Sequence, residues 1–231
     1  MHGSNILPTL PNSSWKWYTE HVSAGEQHGR DLVADRAVWD VRITRTAMVL
    51  GSRQNESLLN WELCSRDGIE VVRRRSGGGI VFLAPGEHVW LDVVVPRGDV
   101  LWTDDVAQAS WWLGDVWVQT LNALGKNNVL VHHESLSSDQ WGDLLCFAGV
   151  GPGEVVQRND ESLSKLVGIS QRRTRDYARF QCTIYSKWNP RDVEMYVMNT
   201  PGNLSEIAHR VAVVQASQQA IVDTFLSHLP L

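Results

Sequence analysis

Apolar residues recur along this chain with two different periods, and the switches between them outline its elements. Val89, Leu91, Val93 and Val95 alternate with His88, Trp90, Asp92 and Val94, the period-two signature of a strand. Val106, Ala109, Leu113, Val116, Trp117, Leu121 and Leu124 instead share one face of a helix. That helix is predicted to start at Thr103 as N-cap, with Asp104 and Asp105 favourable at the positive end of its dipole, and to stop at Gly125. Another helix is predicted around 26–40, from Val33, Ala34, Ala37, Val38 and Val41. A strand near 41–50 ending at Gly51, a short helix near 57–66 and a strand from Ile69 to Val72 follow. Further short strands are predicted near 128–132, 144–148, 153–157, 165–171 and 180–185. Leu204, Ile207, Ala208 and Val211, then Ile221, Phe225 and Leu229, indicate C-terminal helix in one or two pieces.

Strands outnumber helices, and the helices stand at the beginning, middle and end. The pattern therefore predicts an α+β fold, a mixed β-sheet packed against helices, rather than regular βαβ alternation. A chain of 231 residues can bury a large core in one domain, expected here over 15–231. Residues 1–14, with Pro8, Pro11, Asn12, Ser13 and Ser14, lack the apolar stretch of a signal peptide and read as a flexible arm.

Composition narrows the partners. The net charge of −5 gives no general attraction to nucleic acid or an anionic membrane, and no apolar run approaches the roughly 20 residues of a membrane span. Cys64, Cys146 and Cys182 are odd in number and widely spaced, outlining neither a disulfide framework nor a zinc site, so a reducing cytoplasm is the expected setting. No metal site is expected either: His132-His133-Glu134 lacks H-E-x-x-H spacing and reads as a solvated loop. The eleven tryptophans read as core and rim packing with their indole N–H groups satisfied.

Basic residues gather at Arg73–Arg75 and Arg172–Arg175, a local charge suited to a small anionic ligand. The first group runs into Ser76 and three glycines, Gly77, Gly78 and Gly79. Glycines let a ligand approach the main chain closely, and their N–H groups with a nearby Arg can cradle an anion. The structural alternative is a bulge or turn beside a solvated basic strand. No Walker A pattern is present, and Gly149-Val150-Gly151-Pro152-Gly153 has the wrong spacing for a dinucleotide fingerprint, so it reads as a turn. Lys165 enters a predicted strand close to Gly168 and Ser170, where an ammonium can face a phosphate or carbonyl oxygen. Strict alternation puts Lys165 and Gly168 on opposite faces, so a shared pocket requires a bend in the strand.

Together these segments resemble the lipoate–protein ligase A family, within the biotin/lipoate ligase superfamily. Its two arginines, variable residue, Ser or Thr and three glycines fall on Arg73, Arg74, Arg75, Ser76, Gly77, Gly78 and Gly79. An upstream family pattern like G-R-x-Q-N matches Gly51, Gln54 and Asn55, with Ser52 in place of the family's Arg. The family lysine, followed three residues later by glycine, matches Lys165 and Gly168. The resemblance implies the catalytic-domain fold of biotin and lipoate ligases, a class II synthetase-like mixed sheet, here without a C-terminal accessory domain. It also implies that ATP with Mg²⁺ activates lipoate or octanoate as an acyl-adenylate, which is passed to a lysine of a lipoyl domain. Such domains occur in 2-oxoacid dehydrogenase complexes and the glycine cleavage H protein. Arg74, Ser76, Gly77–Gly79, Gly86, Gly168, Gln54 and Asn55 would bind acyl group and adenylate, and Lys165 would hold the acyl carbonyl and phosphate oxygens.

The sequence departs from that family at Leu83, Ala84, Gly86 and Glu87, where ligases carry His-Asp and Gly-Asn. Gln181-Cys182-Thr183 likewise replaces a His-Gly-Thr block. Leu144-Leu145-Cys146-Phe147 resembles the Ala-Cys-Phe segment of octanoyltransferases of the same fold, and Pro85-Gly86-Glu87 resembles the Pro-Gly-Gln of another such group. That resemblance implies an alternative without ATP: Cys146 takes octanoate from acyl carrier protein as a thioester and hands it to the lipoyl-domain lysine. A third alternative is a non-catalytic subunit that holds lipoyl domains or acyl groups, with or without a separate accessory protein.

Overall fold

The computed structural model describes residues 14–159 and 162–231; the arm expected over 1–14 lies outside them except for Ser14. In chain order the elements are β1 (Lys16–Val22), α1 (Ala24–Gly29), β2 (Ala37–Ile43), β3 (Ala47–Leu50), α2 (Trp61–Arg66), β4 (Glu70–Arg73), β5 (Val81–Leu83) and β6 (His88–Pro96). They continue with α3 (Trp111–Ala123), β7 (Val129–Val131), α4 (Gln140–Leu144), β8 (Val155–Asn159), β9 (Ser162–Arg173), β10 (Tyr177–Tyr185), α5 (Arg191–Glu194) and α6 (Gln218–Ser227). Short 3₁₀ turns occupy Glu56–Leu58, Cys146–Ala148 and Leu204–Arg210.

Seven strands form one sheet in the order β1-β2-β6-β10-β9-β8-β7, and β4-β3-β5 form a smaller one. Both are mixed, because β1 runs parallel to β2 and β3 parallel to β4 while their other neighbours are antiparallel. The expected α+β architecture is thus present.

The alternation in β6 sorts its residues between two cores. Val89, Leu91, Val93 and Val95 pack against Leu113, Trp117 and Leu121 of α3 and Ile221 and Phe225 of α6. The opposite face carries Trp90 and Val94 toward Val49 and Leu83 of the small sheet. Residues His88 and Asp92, which look like the solvent side of an alternating strand, are therefore buried as well. The space between the two sheets is where the site described below lies.

Three predicted elements are corrected. The helix expected over 26–40 is only the six-residue α1, closed by a Ser23–Glu26 capping box, and Val38 and Val41 belong to β2. Strand β2 is buried on both faces between β1 and β6, so its apolar residues show no period of two and mimic helical spacing. The central helix starts after Ser110, not at Thr103, whose hydroxyl accepts from the Asp105 N–H in a local turn; Val106 is exposed. Residues 144–148 form the end of α4 and a 3₁₀ turn, not a strand, because the Asp139 carboxylate accepts from Trp141 and Gly142 N–H and nucleates a helix. Strand β1 and the 3₁₀ turn near 204–210 were not predicted as such, although Leu204 and Ile207 are buried as expected.

Candidate functional site

The glycine loop joins β4 to β5, and Arg74 organises it from inside. Its buried guanidinium donates to the carbonyls of Gly77 and Gly79, both at 2.8 Å from Nη2. Gly78 has φ of +99°, a conformation that favours glycine, and its carbonyl oxygen would lie 1.9 Å from a Cβ added at Gly51. A Cβ on Gly79 would fall 2.6 Å from the Cys146 nitrogen. The glycines therefore allow the loop to be pressed between the Gly51 turn and the Cys146 segment. Cys146 N–H donates to the Ile80 carbonyl at 2.9 Å and Ile80 N–H to Leu144 at 2.7 Å, fixing that contact. Gln54 braces the same corner, accepting from Gly51 N–H and donating to the carbonyls of Asp143 and Leu144.

Not all of the expected basic charge lines the site. Arg73 donates to the Gly51 and Gln54 carbonyls and pairs with Glu56, Arg75 and Arg172 both meet Asp31, and Arg173 stacks on Trp102. Arg53, which was not singled out from sequence, is the arginine that lines the groove beside the glycines.

Lys165 and Gly168 do face the same side of the strand, where Lys165 lines one cavity and Gly168 its neighbour, and the reason is a β-bulge. Val155 pairs with Val167 while Val156 pairs with Lys165, so Leu166 is an extra residue that resets the alternation of β9. A Cβ on Gly168 would sit 3.3 Å from Cε of Lys165 and 3.1 Å from the Phe147 ring. Lys165 is buried, and its Nζ donates to the carbonyls of Cys146 (2.9 Å) and Gly149 (3.1 Å) and to the Glu154 carboxylate (2.6 Å). Its Nζ lies 4.0 Å from the Cys146 sulfur and 5.0 Å from the centre of the Phe147 ring. Glu154, itself buried, also accepts from the N–H groups of Gly151 and Ile169. Nothing in the spacing of the sequence marked Glu154; its role depends on the tertiary meeting of the Gly149–Gly153 turn with β9.

Two cavities meet at this point. A narrow slot of about 40 Å³ runs between the sheets, with Val49, Val81 and Leu83 on one side and Gly168, Thr183 and Trp90 on the other. A broader polar groove of about 480 Å³ is lined by Arg53, Gln54, Ser76, the three glycines, Asp143 and Lys165. Cys146, Glu154, Ile169 and Ser170 line both. Cys146 is half-buried, whereas Cys64 and Cys182 are buried, and burial pushes the Cys182 thiol up to about 12.

The expected site residues thus divide. Arg74, Ser76, Gly77–Gly79, Gln54, Cys146, Lys165 and Gly168 converge on the two cavities. Asn55 caps a 3₁₀ turn through the Ser57 N–H, and Gly86 lies in a turn beside a separate cavity with His88 and Gln218. Among the described residues, no group of three or more His, Cys, Asp or Glu side chains is placed to hold a metal ion; His132 points Nε2 at the Ser135 carbonyl and His133 packs edge-on against Trp111. The indole N–H groups of Trp15, Trp61, Trp90 and Trp102 find acceptors, but those of Trp39, Trp111, Trp112 and Trp188 have no protein partner, contrary to expectation. No described helix is long and apolar enough to cross a membrane.

The family model for the lipoyl protein ligase A/B catalytic domain matches residues 21–225. Among solved structures, the chain is similar to a bipartite lipoate protein ligase of the Thermoplasma acidophilum lipoylation system, at 13% identity and a TM-score of 0.65, over 91% of this chain and 81% of that one. It is similar to lipoate-protein ligase A bound with ATP, at 14% identity and a TM-score of 0.63, over 88% and 75% of the two chains. P. falciparum LipL1 in complex with lipoate matches at 18% identity and a TM-score of 0.54, over 86% of this chain and 50% of that one. At these identities the likeness is one of fold. A search of curated proteins found no match.

Proposed function

Because this chain belongs to the lipoyl protein ligase A/B catalytic-domain family, we propose that it attaches an octanoyl or lipoyl group to a lysine of a lipoyl domain through a thioester on Cys146. The observation that carries this reading is the placement of the Cys146 sulfur. It is half-buried where the apolar slot meets the polar groove, 4.0 Å from the Lys165 ammonium.

In the first step the Cys146 sulfur attacks the carbonyl of an acyl thioester, as on acyl carrier protein. The donor's C–S bond breaks, and the donor thiol leaves with the proton that Cys146 gives up. In the second, a lysine amine of the acceptor attacks the Cys146 thioester; an amide forms and the thiol is restored. The slot would hold the acyl tail, and Lys165 supplies positive charge where the carbonyl oxygen turns negative.

A ligase route would bring ATP and magnesium into the groove, and the balance of charge along it favours the thioester route. The charged residues along it are Arg53, Lys165, Asp143 and Glu154, two of each sign. A polyphosphate calls for an excess of donors and positive charge. The ligase reading keeps one support, the Gly77–Gly79 loop lining the groove in a fold similar to a ligase bound with ATP.

Intact-protein mass spectrometry after incubation with octanoyl-acyl carrier protein, without ATP, tests the choice. An octanoyl adduct on wild type and none on Cys146→Ser is expected. No adduct, with modification of a lipoyl domain by lipoate and ATP, would replace the thioester by the ligase route. Binding of a lipoyl domain with no turnover under either condition would leave only a non-catalytic subunit.

A further inference from the structure

We propose that Trp90 and His28 form the closed end of the acyl slot and set the length and apolar character of the chain it accepts. This rests on the reading of the slot as the acyl site. Gly168 of β9, Thr183 of β10 and Trp90 of β6 are register partners across three adjacent strands, so their side chains share one face and make a single row. The row grades from no side chain beside Phe147 and Lys165, through a small one, to a large indole. Two interstrand steps give it a length of about 10 Å, comparable to the reach of an octanoyl chain held at Cys146. Val49, Val81 and Leu83 cover it from the small sheet.

The end wall is rigid. Trp90 Nε1 donates to Asp92 at 3.0 Å, and Asp92 in turn accepts from Gln27 and pairs with buried Arg179. The His28 ring lies 4.8 Å from the Trp90 ring, and its Nδ1 is 3.4 Å from Gln181 Nε2. Burial brings the His28 imidazole down to about 4, so at neutral pH the wall carries no charge there. A chain ending in a charge or a ureido ring would lose its hydrogen bonds to water among mostly apolar walls, whereas a methyl or disulfide end would not.

Equilibrium titration of wild type, Trp90→Ala and Thr183→Ile with hexanoate, octanoate, decanoate and dodecanoate tests the gauge. Wild type is expected to prefer octanoate and to lose about tenfold or more in affinity for dodecanoate, since a methylene that does not fit costs that much. Trp90→Ala should favour dodecanoate, and Thr183→Ile, a substitution suited to a strand, should shift the preference to hexanoate. An unchanged order of affinities in either folded variant overturns the proposal. Thr183→Ile decides alone if Trp90→Ala does not fold. Failure of wild type to bind any of the acids, together with no acylation of Cys146 by octanoyl-acyl carrier protein, would overturn the acyl-slot reading itself, and the gauge with it.

Discussion

The Glu154 carboxylate lies 2.6 Å from Lys165 Nζ with both side chains buried, so the cation beside Cys146 is held by an anion at the start of β8. Removing one member of a buried pair leaves the other uncompensated, at a cost of about 3–5 kcal/mol. Lys165→Met should lose stability of that order in chemical denaturation. Glu154→Gln with Lys165→Met should recover part of it, because no charge is left unpaired; the single amide oxygen can accept from only one of the Gly151 and Ile169 N–H groups, which reach different carboxylate oxygens. Acyl transfer should remain lost in both. Recovery of transfer in the double variant would mean that Lys165 only supports the structure.

Two glycines that look alike in the sequence resemblance should behave differently. A Cβ on Gly51 meets the Gly78 carbonyl at 1.9 Å, a backbone atom that can retreat only if the glycine loop moves. Gly86 has φ of +80° but nothing within 4 Å of an added Cβ. Gly51→Ala should therefore abolish transfer, while Gly86→Ala should cost about 1 kcal/mol of backbone strain and leave turnover near wild type. Equal loss of activity in both would return Gly86 to the site.

How much of this could be read beforehand depended on whether the signal was local. The alternation of β6, the Leu113–Leu121 stripe and the Arg74–Gly79 block are local patterns, and each corresponds to a real element or loop. The Leu166 bulge is not: β9 reads as a regular strand, and only its pairing with β8 reveals that Lys165 and Gly168 face the same way. Glu154 and His28 were invisible for the same reason, each acquiring its role from chain distant in sequence. Residues 144–148 misled because a short apolar run fits strand or helix equally, and the deciding cap, Asp139, stands outside it.

Arg74 offers a test of loop order apart from chemistry. Its planar guanidinium reaches Gly77 and Gly79 at once, which a lysine ammonium cannot do with the same geometry. Arg74→Lys should keep the charge and the fold yet lower transfer by roughly tenfold or more, the effect of losing about 1.4 kcal/mol of positioning. Single-turnover kinetics would locate the loss in thioester formation. Wild-type rates would show that the loop holds its shape without the fork.

Acid should weaken the fold through two histidines. Burial is the main cause that lowers His28 and His88 from 6.5 to about 4; Arg179 and Arg74 push His28 the same way against Asp92, and Arg42 pushes His88 the same way against its hydrogen bond to the Ala84 carbonyl. Folded protein therefore binds these protons less readily than the unfolded chain. Their stabilising effect is complete above pH 6.5 and is lost as pH falls from there to about 4. At 1.36 kcal/mol per pKa unit, each contributes roughly 3 kcal/mol across that window. Urea denaturation between pH 4 and 7 should show stability rising with a slope that approaches two protons, and His28→Asn should remove one of them. A slope unchanged by His28→Asn would mean that this imidazole titrates alike in both states.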